Sequence, residues 1–268
     1  MAADVRSILA KTRNFEAELA ILTQNPEERR DADKFCKEVA GVRDKIRSHY
    51  EEIILTDLNF ALSEEVDAMM WNSICYSQIE DFRKKAKKYR KDPVKLSQMN
   101  VCFCNFLADT STYYEHLYQR VQDTYAHIQD DEKAGVETEA QKVSCLLQKV
   151  ITCLGDLARY ASMYNDGHKK GDWTQATRYY SKALLLYPPS GNAHNQLAVL
   201  ATYQDNDFEA MYHYFRALAT VRPFSSATVN LVPVFEKNRK RYLADLEEAK
   251  TNMHDENDML RVFKTGFT

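Results

Sequence analysis

Between residues 176 and 223 the chain matches itself. Ala176 pairs with Ala210, Tyr180 with Tyr214, Ala183 with Ala217, Leu184 with Leu218 and Pro189 with Pro223, always 34 positions apart. A fixed period of this length marks stacked helix-turn-helix units, and the small alanines fall where two helices must approach closely. Leu197-Ala198 ahead of Ala210 and Ala217 keeps the spacing within one unit. Leu154-Gly155 opens a preceding unit, with an extra connection from Asn165 to Gly171. Two units cannot bury their faces alone. They must pack on the first 150 residues or on a terminal helix running from Ser225 to about Met253.

The rest of the chain reads as helix as well. Only 7 glycines and 6 prolines interrupt 268 residues, and apolar side chains recur at helical spacing throughout. Val5, Ile8, Leu9, Phe15, Leu19 and Leu22 define a first helix that Asn25-Pro26 ends. From Glu27 to about Leu62 one stripe through Phe35, Val39, Val42, Ile46, Tyr50, Ile53 and Leu58 predicts a single unbroken helix. Ser63 followed by Glu64 and Glu65 reads as the cap of the next, which carries Val66, Met70, Ile74, Ile79 and Phe82 and stops at Asp92-Pro93. Further helices are expected over 94–128 and from Ala140 through Leu157. The fold class is therefore all-α.

Composition removes several classes of function. A net charge of −3 supplies no global field to draw in nucleic acid or an acidic membrane, and no apolar run reaches the roughly 20 residues of a membrane helix. Cys36, Cys75, Cys102, Cys104, Cys145 and Cys153 mostly fall on apolar faces as small core residues, which suits a reducing compartment. Cys102 and Cys104 diverge by about 200° on a helix, so no metal site is expected. The seven histidines are scattered, no H-E-x-x-H or G-x-S-x-G occurs, and no glycine-rich loop could cradle a nucleotide. Neither catalysis nor a cofactor is expected, which leaves an interaction protein.

Two places could hold an anion. Tyr76, Arg83 and Arg90 are seven apart and would stack on one side of a helix whose end is the basic run 83–91. That run equally suits a solvated helix C-terminus. It lacks interleaved aromatics and any RNA motif, so direct RNA binding is not expected. The second place is Arg159, which could instead form an ordinary exposed i, i+3 pair with Asp156.

Three stretches carry a resemblance. They are Leu55-Thr56-Asp57-Leu58-Asn59-Phe60-Ala61-Leu62 leading to Trp71-Asn72, then Asn105-Phe106-Leu107 through Tyr113-Tyr114-Glu115-His116-Leu117, then Leu154-Gly155-Asp156-Leu157-Ala158-Arg159-Tyr160 with Asn195-Gln196-Leu197-Ala198. From about residue 50 to 235 the chain resembles the amino-terminal half of the SMG proteins of nonsense-mediated mRNA decay, a family that includes the telomerase-associated Est proteins; its seventh member looks nearest. The resemblance implies a 14-3-3-like helical array over 1–165, tetratricopeptide-type helices over 166–253 and a tail over 254–268. It implies a non-catalytic adaptor that binds phosphorylated Ser/Thr segments of the decay helicase and pairs with a related SMG protein through the 14-3-3-like part. It places this work in the cytoplasm, with the nucleus as a second compartment.

By the same resemblance, Gly155-Asp156 and Arg159-Tyr160 match the G-D-x-x-R-Y segment whose Arg and Tyr hold phosphate, and Arg83 falls where a second phosphate-binding Arg stands. Asn195 falls where an Asn contacts the peptide backbone. Tyr76 departs from the pattern, standing where a Lys is expected. A phenol can donate a hydrogen bond to phosphate but cannot neutralise it. Three functions follow from these residues: a phosphopeptide-reading adaptor, a purely structural dimerisation module with a degenerate phosphate site, and a telomerase- or RNA-associated adaptor working through residues 83–91.

Overall fold

The computed structural model describes residues 4–24, 32–128, 137–164 and 171–252. The expected polar connection at 129–139 falls largely outside them, as does the tail at 254–268. The chain divides into two compact units, Met1–His168 and Lys169–Thr268. The described residues form helices and no β-strand, apart from one isolated bridge between Ser190 and Arg222.

In the first unit α1 (Val5–Gln24) packs along α2 (Ala32–Thr56), and α6 (Pro93–Thr124) along α7 (Glu139–Tyr164). Between them lie α3 (Leu58–Ser63), α4 (Val66–Trp71) and α5 (Ser77–Lys88). The apolar stripes meet in a core that fully buries Ile46, Ile53, Met70, Ile74, Ile79, Leu117 and Leu146. Two helix boundaries differ from the expectation. The predicted helix over 27–62 breaks at Asp57, whose extended backbone and side chain cap α3 by accepting from the Phe60 amide at 2.9 Å. Ser63 is not a helix cap: it ends α3, and its hydroxyl donates to the Phe60 carbonyl at 3.1 Å. The chain then turns through Glu65, at φ 52°, into α4. Asp57→Ala should cost about 1 kcal/mol of unfolding free energy, measured as a lower urea midpoint at unchanged slope.

α4 and α5 are joined without a loop by a π-helical turn, Asn72–Tyr76. Ser73 in this turn donates to the Glu16 carboxylate, which also accepts from the Tyr50 hydroxyl at 2.5 Å. One acid thus ties α1 and α2 to the π turn and sets the rotation at which α5 leaves it. α5 ends at Lys88, so Arg90 lies beyond the helix and the expected ladder keeps only Tyr76 and Arg83. Asp92 caps the following helix rather than merely stopping the preceding one, accepting from the Lys95 amide at 3.1 Å.

The second unit stacks α8 (Thr174–Leu186), α9 (Asn192–Tyr203), α10 (Asp207–Leu218) and α11 (Ala227–Asn252), each against the next. The 34-residue period is visible in burial: Ala176, Tyr180 and Ala183 on α8 and Ala210, Tyr214 and Ala217 on α10 are all buried. The terminal helix covers the repeat, with Ala227, Leu231 and Val234 joining the core of α9 and α10. Lys237 and Arg241 fasten it further, reaching the buried Asp207 carboxylate at 2.7 and 2.8 Å.

α9 and α10 also share a histidine pair, with Nδ1 of His194 2.9 Å from Nδ1 of His213. Burial, then the neighbouring His213 and Arg216, holds His194 down at about 4. Burial and Arg216 lower His213 too, while Glu209 stands 4.0 Å from its Nε2. Because the folded pKa values lie below the unfolded value, stability is fully present above about pH 6.5 and is lost as pH falls toward about 4. The expected loss between pH 7 and pH 5 is roughly 1–2 kcal/mol. Urea unfolding of His194→Gln should show a smaller loss over the same interval.

Candidate phosphate site

Arg83 and Arg159 come from helices distant in sequence, α5 and α7. Phe82, the neighbour of Arg83, is clamped in the core by Phe103 and by Tyr164, whose ring meets it edge-on at 4.9 Å. Tyr164 ends α7 one turn past Tyr160, so one aromatic cluster ties the α5 turn that carries Arg83 to the end of α7.

The structure brings Arg83, Arg159 and Tyr160 into one electrostatic group. The Arg159 guanidinium lies 4.5 Å from the centre of the Tyr160 ring. Burial pushes the Tyr160 phenol up, while Arg159 and Arg83 pull it back down. The phenol therefore stays protonated at neutral pH and can donate. Burial lowers Arg83, but Glu80, Tyr160 and Tyr164 outweigh it and hold the guanidinium above its ordinary value. Two arginines and a phenolic donor so placed can bind phosphate oxygens through directed, charge-assisted hydrogen bonds.

Both arginines are held by acids one turn earlier. Arg159 Nη2 lies 2.9 Å from Asp156 Oδ1, with the two side chains only 10% and 15% exposed. The i, i+3 pair expected on an open face is thus present but buried. Arg83 Nη1 lies 2.6 Å from Glu80 Oε1, and that pair is far more open, at 49% and 30%. Sequence reasoning missed Glu80 and Tyr164. The Glu80 signal was its i, i+3 spacing to Arg83; Tyr164 carried only the i, i+4 spacing to Tyr160.

Tyr76, at the end of the π turn, shares the face of Arg83 two turns on and is 45% exposed. Asn195 belongs to the second unit, where it is buried on α9 and its Oδ1 accepts from Asn230 Nδ2 on α11 at 3.1 Å.

Known proteins place this architecture. A family model described as telomerase activating protein Est1 matches residues 65–165, and one described as Est1 DNA/RNA binding domain matches residues 176–265. The Arabidopsis thaliana nonsense-mediated mRNA decay factor SMG7-like is 36% identical over 209 residues, 78% of this chain and 22% of its own length. Telomerase-binding protein EST1A of Danio rerio is 28% identical over 210 residues, 76% of this chain and 13% of its own. The chain spans about a fifth of the length of the first curated relatives it matches, 22% and 21%. The crystal structure of Est1 and Cdc13 contains a chain that superposes with a TM-score of 0.67 at 15% identity, over 93% of this chain and 52% of that one. A chain of the C. elegans SMG5-SMG7 complex superposes at 0.50 with 18% identity, over 85% and 53%. These two likenesses establish a shared all-helical fold of the Est1 type. The chain belongs to the Est1/SMG family of nonsense-mediated decay and telomerase-associated factors.

Proposed function

We propose that this protein is a non-catalytic adaptor of nonsense-mediated mRNA decay whose first unit reads a phosphorylated Ser/Thr segment through Arg83, Arg159 and Tyr160. The observation that carries the reading is the convergence of these three side chains from α5 and α7 around one aromatic cluster. The relatives named as decay factors support the pathway. The likeness to a chain of the SMG5-SMG7 complex supports pairing with a related SMG protein. The phosphorylated partner is the decay helicase, and the adaptor works in the cytoplasm.

The departure at Tyr76 makes the phosphate reading testable in the gaining direction. A lysine there would add a third positive charge beside Arg83, so Tyr76→Lys should tighten a phosphoserine peptide about tenfold and leave its unphosphorylated twin unchanged. Calorimetric titration of both peptides against both proteins is the measurement. Equal affinity for the two peptides in the native protein, with no gain from the lysine, would leave the structural dimerisation module as the surviving reading. The family match over 176–265 carries a nucleic-acid description and belongs to the second unit, whereas the basic run 83–91 belongs to the first. RNA retained at low salt by the second unit would favour the telomerase- or RNA-associated alternative.

A further inference from the structure

α5 has a second face. Arg83 and Lys85 are separated by about 200° around the helix, so the side opposite the arginine looks onto α6. There a groove of about 480 Å³ opens, floored by Phe82, Met99, Phe103 and Phe106. Past Arg43, Asp81 and Lys85, which line both, it continues into a second cavity of about 520 Å³ reaching Thr23 on α1. The two share lining residues and form one trough.

Three cations, Arg43, Lys85 and Lys95, line it against the acids Glu16 and Asp81, and its rim lies in a basic stretch: residues 84 to 95 hold seven Lys or Arg side chains and one acid, Asp92. Tyr89 sits between two of the cations, with Lys88 Nζ 5.3 Å and Lys95 Nζ 5.4 Å from its ring centre. Arg43 leans over Phe106 at 5.8 Å from the opposite wall. Asp81 pairs with Lys85 at 2.7 Å and Asp92 with Lys95 at 3.6 Å. Both pairs are exposed and worth little, so they leave the positive field largely in place.

We propose that this trough docks an acidic protein segment that carries apolar anchor residues. The occupant follows from charge and from ring geometry. The field of the rim selects an acidic partner. The floor selects aliphatic or aromatic anchors over nucleobases, because its rings have their faces engaged already. Phe82 and Phe103 stack on each other at 3.8 Å with 2° between their planes, and Phe103 is only 5% exposed. Tyr89 has its face taken by lysines. A base needs an open ring to stack on, whereas a Leu, Met or Phe side chain needs only the gap along Met99 and Phe106. The aromatic side chains beside the basic run come from α6, in a form that favours peptide over RNA. The two readings share the Phe82–Phe103 stack but no charged side chain, so they can be tested separately.

The test uses the full chain and fluorescence anisotropy. The probe is a labelled synthetic peptide of about 16 residues, Glu- and Asp-rich, with Leu and Phe at helical i, i+3, i+7 spacing. Controls are the same peptide with its acids changed to Lys, the same peptide with its anchors changed to Ser, and an oligouridine RNA of similar length. Only the acidic, anchored probe should bind at physiological salt. Lys85→Glu with Lys95→Glu should weaken it at least tenfold, and Met99→Ser several-fold. The Lys pair is surface-exposed, so circular dichroism and phosphopeptide affinity should both stay at native values, separating failure of the groove from failure of the phosphate site. Absence of probe binding, binding indifferent to the double Lys variant, or RNA displacing the acidic probe would each overturn the proposal.

Discussion

Gly191→Ala should unfold the second unit or bring it close to unfolding. Gly191 is the residue from which α9 starts, and its backbone is not left-handed, so chain freedom is not what the position requires. Space is. A Cβ built there would lie 2.1 Å from the Ala217 carbonyl oxygen and 2.9 Å from the Phe224 nitrogen. Those two atoms are themselves hydrogen-bonded, at 3.0 Å, in the loop after α10. The added methyl would be driven into a backbone bond, with Thr220 Oγ1 also only 2.9 Å away. The loop cannot retreat either. Gly191 N–H donates to the Arg222 carbonyl at 3.0 Å and Arg222 N–H to the Pro189 carbonyl at 2.8 Å, joining the two repeat loops that Pro189 and Pro223 mark. Overpacking commonly costs 1–3 kcal/mol, and a clash with fixed backbone belongs at or above the top of that range, so a loss of about 3–4 kcal/mol is expected. Urea unfolding followed by circular dichroism gives the number. Gly41→Ala is the control: its Cβ would meet nothing within 4 Å, in the middle of α2, and should stabilise by roughly 0.5–1 kcal/mol. A Gly191→Ala protein as stable as the native one would mean that the junction between the two loops opens easily.

The elements that sequence reasoning located share one physical property: they bury one side of a regular helix. The apolar stripe of α2, the alanines of the 34-residue period and the terminal α11 all express that periodicity directly in burial. The errors come from places where periodicity continues while the backbone does not. Tyr50, Ile53 and Leu58 keep their spacing across Asp57, so the break shows only in a capping aspartate that looks like any charged residue in a polar face. The π turn at Asn72–Tyr76 adds no breaker residue and leaves Ile74 and Cys75 buried, so nothing in the apolar pattern records it. Arg159 was legible as a candidate because of its neighbours in sequence. Its depth was not, because burial of an arginine depends on which helices cover α7, and that is tertiary information. Glu80, Tyr164 and the groove floor on α6 were missed for the same reason.

That depth decides how the phosphate site has to be tested. Arg159→Ala should fail as a clean probe, because it would leave the Asp156 carboxylate, 15% exposed, without its 2.9 Å partner. Removing one member of a buried pair typically costs about 3–5 kcal/mol. The first unit should then show a lowered melting temperature, and any loss of peptide binding would follow from the fold alone. Arg83 offers the opposite case. Its pair with Glu80 is about half open, so Arg83→Ala should change stability by less than about 1 kcal/mol. If Arg83 meets phosphate, the same substitution removes a charge-assisted hydrogen bond worth about 1.5–3 kcal/mol, a ten- to hundredfold loss for a phosphorylated peptide and none for its unphosphorylated twin. Glu80→Gln runs the comparison the other way: releasing Arg83 from its internal acid should tighten the phosphopeptide, since the carboxylate and the phosphate compete for one guanidinium. Calorimetric titration and thermal unfolding on the three variants separate support of the helix from recognition of the anion. An Arg83→Ala protein that keeps both native stability and native phosphopeptide affinity would remove Arg83 from the site and leave a buried Arg159–Asp156 pair whose role is to hold α7 in place.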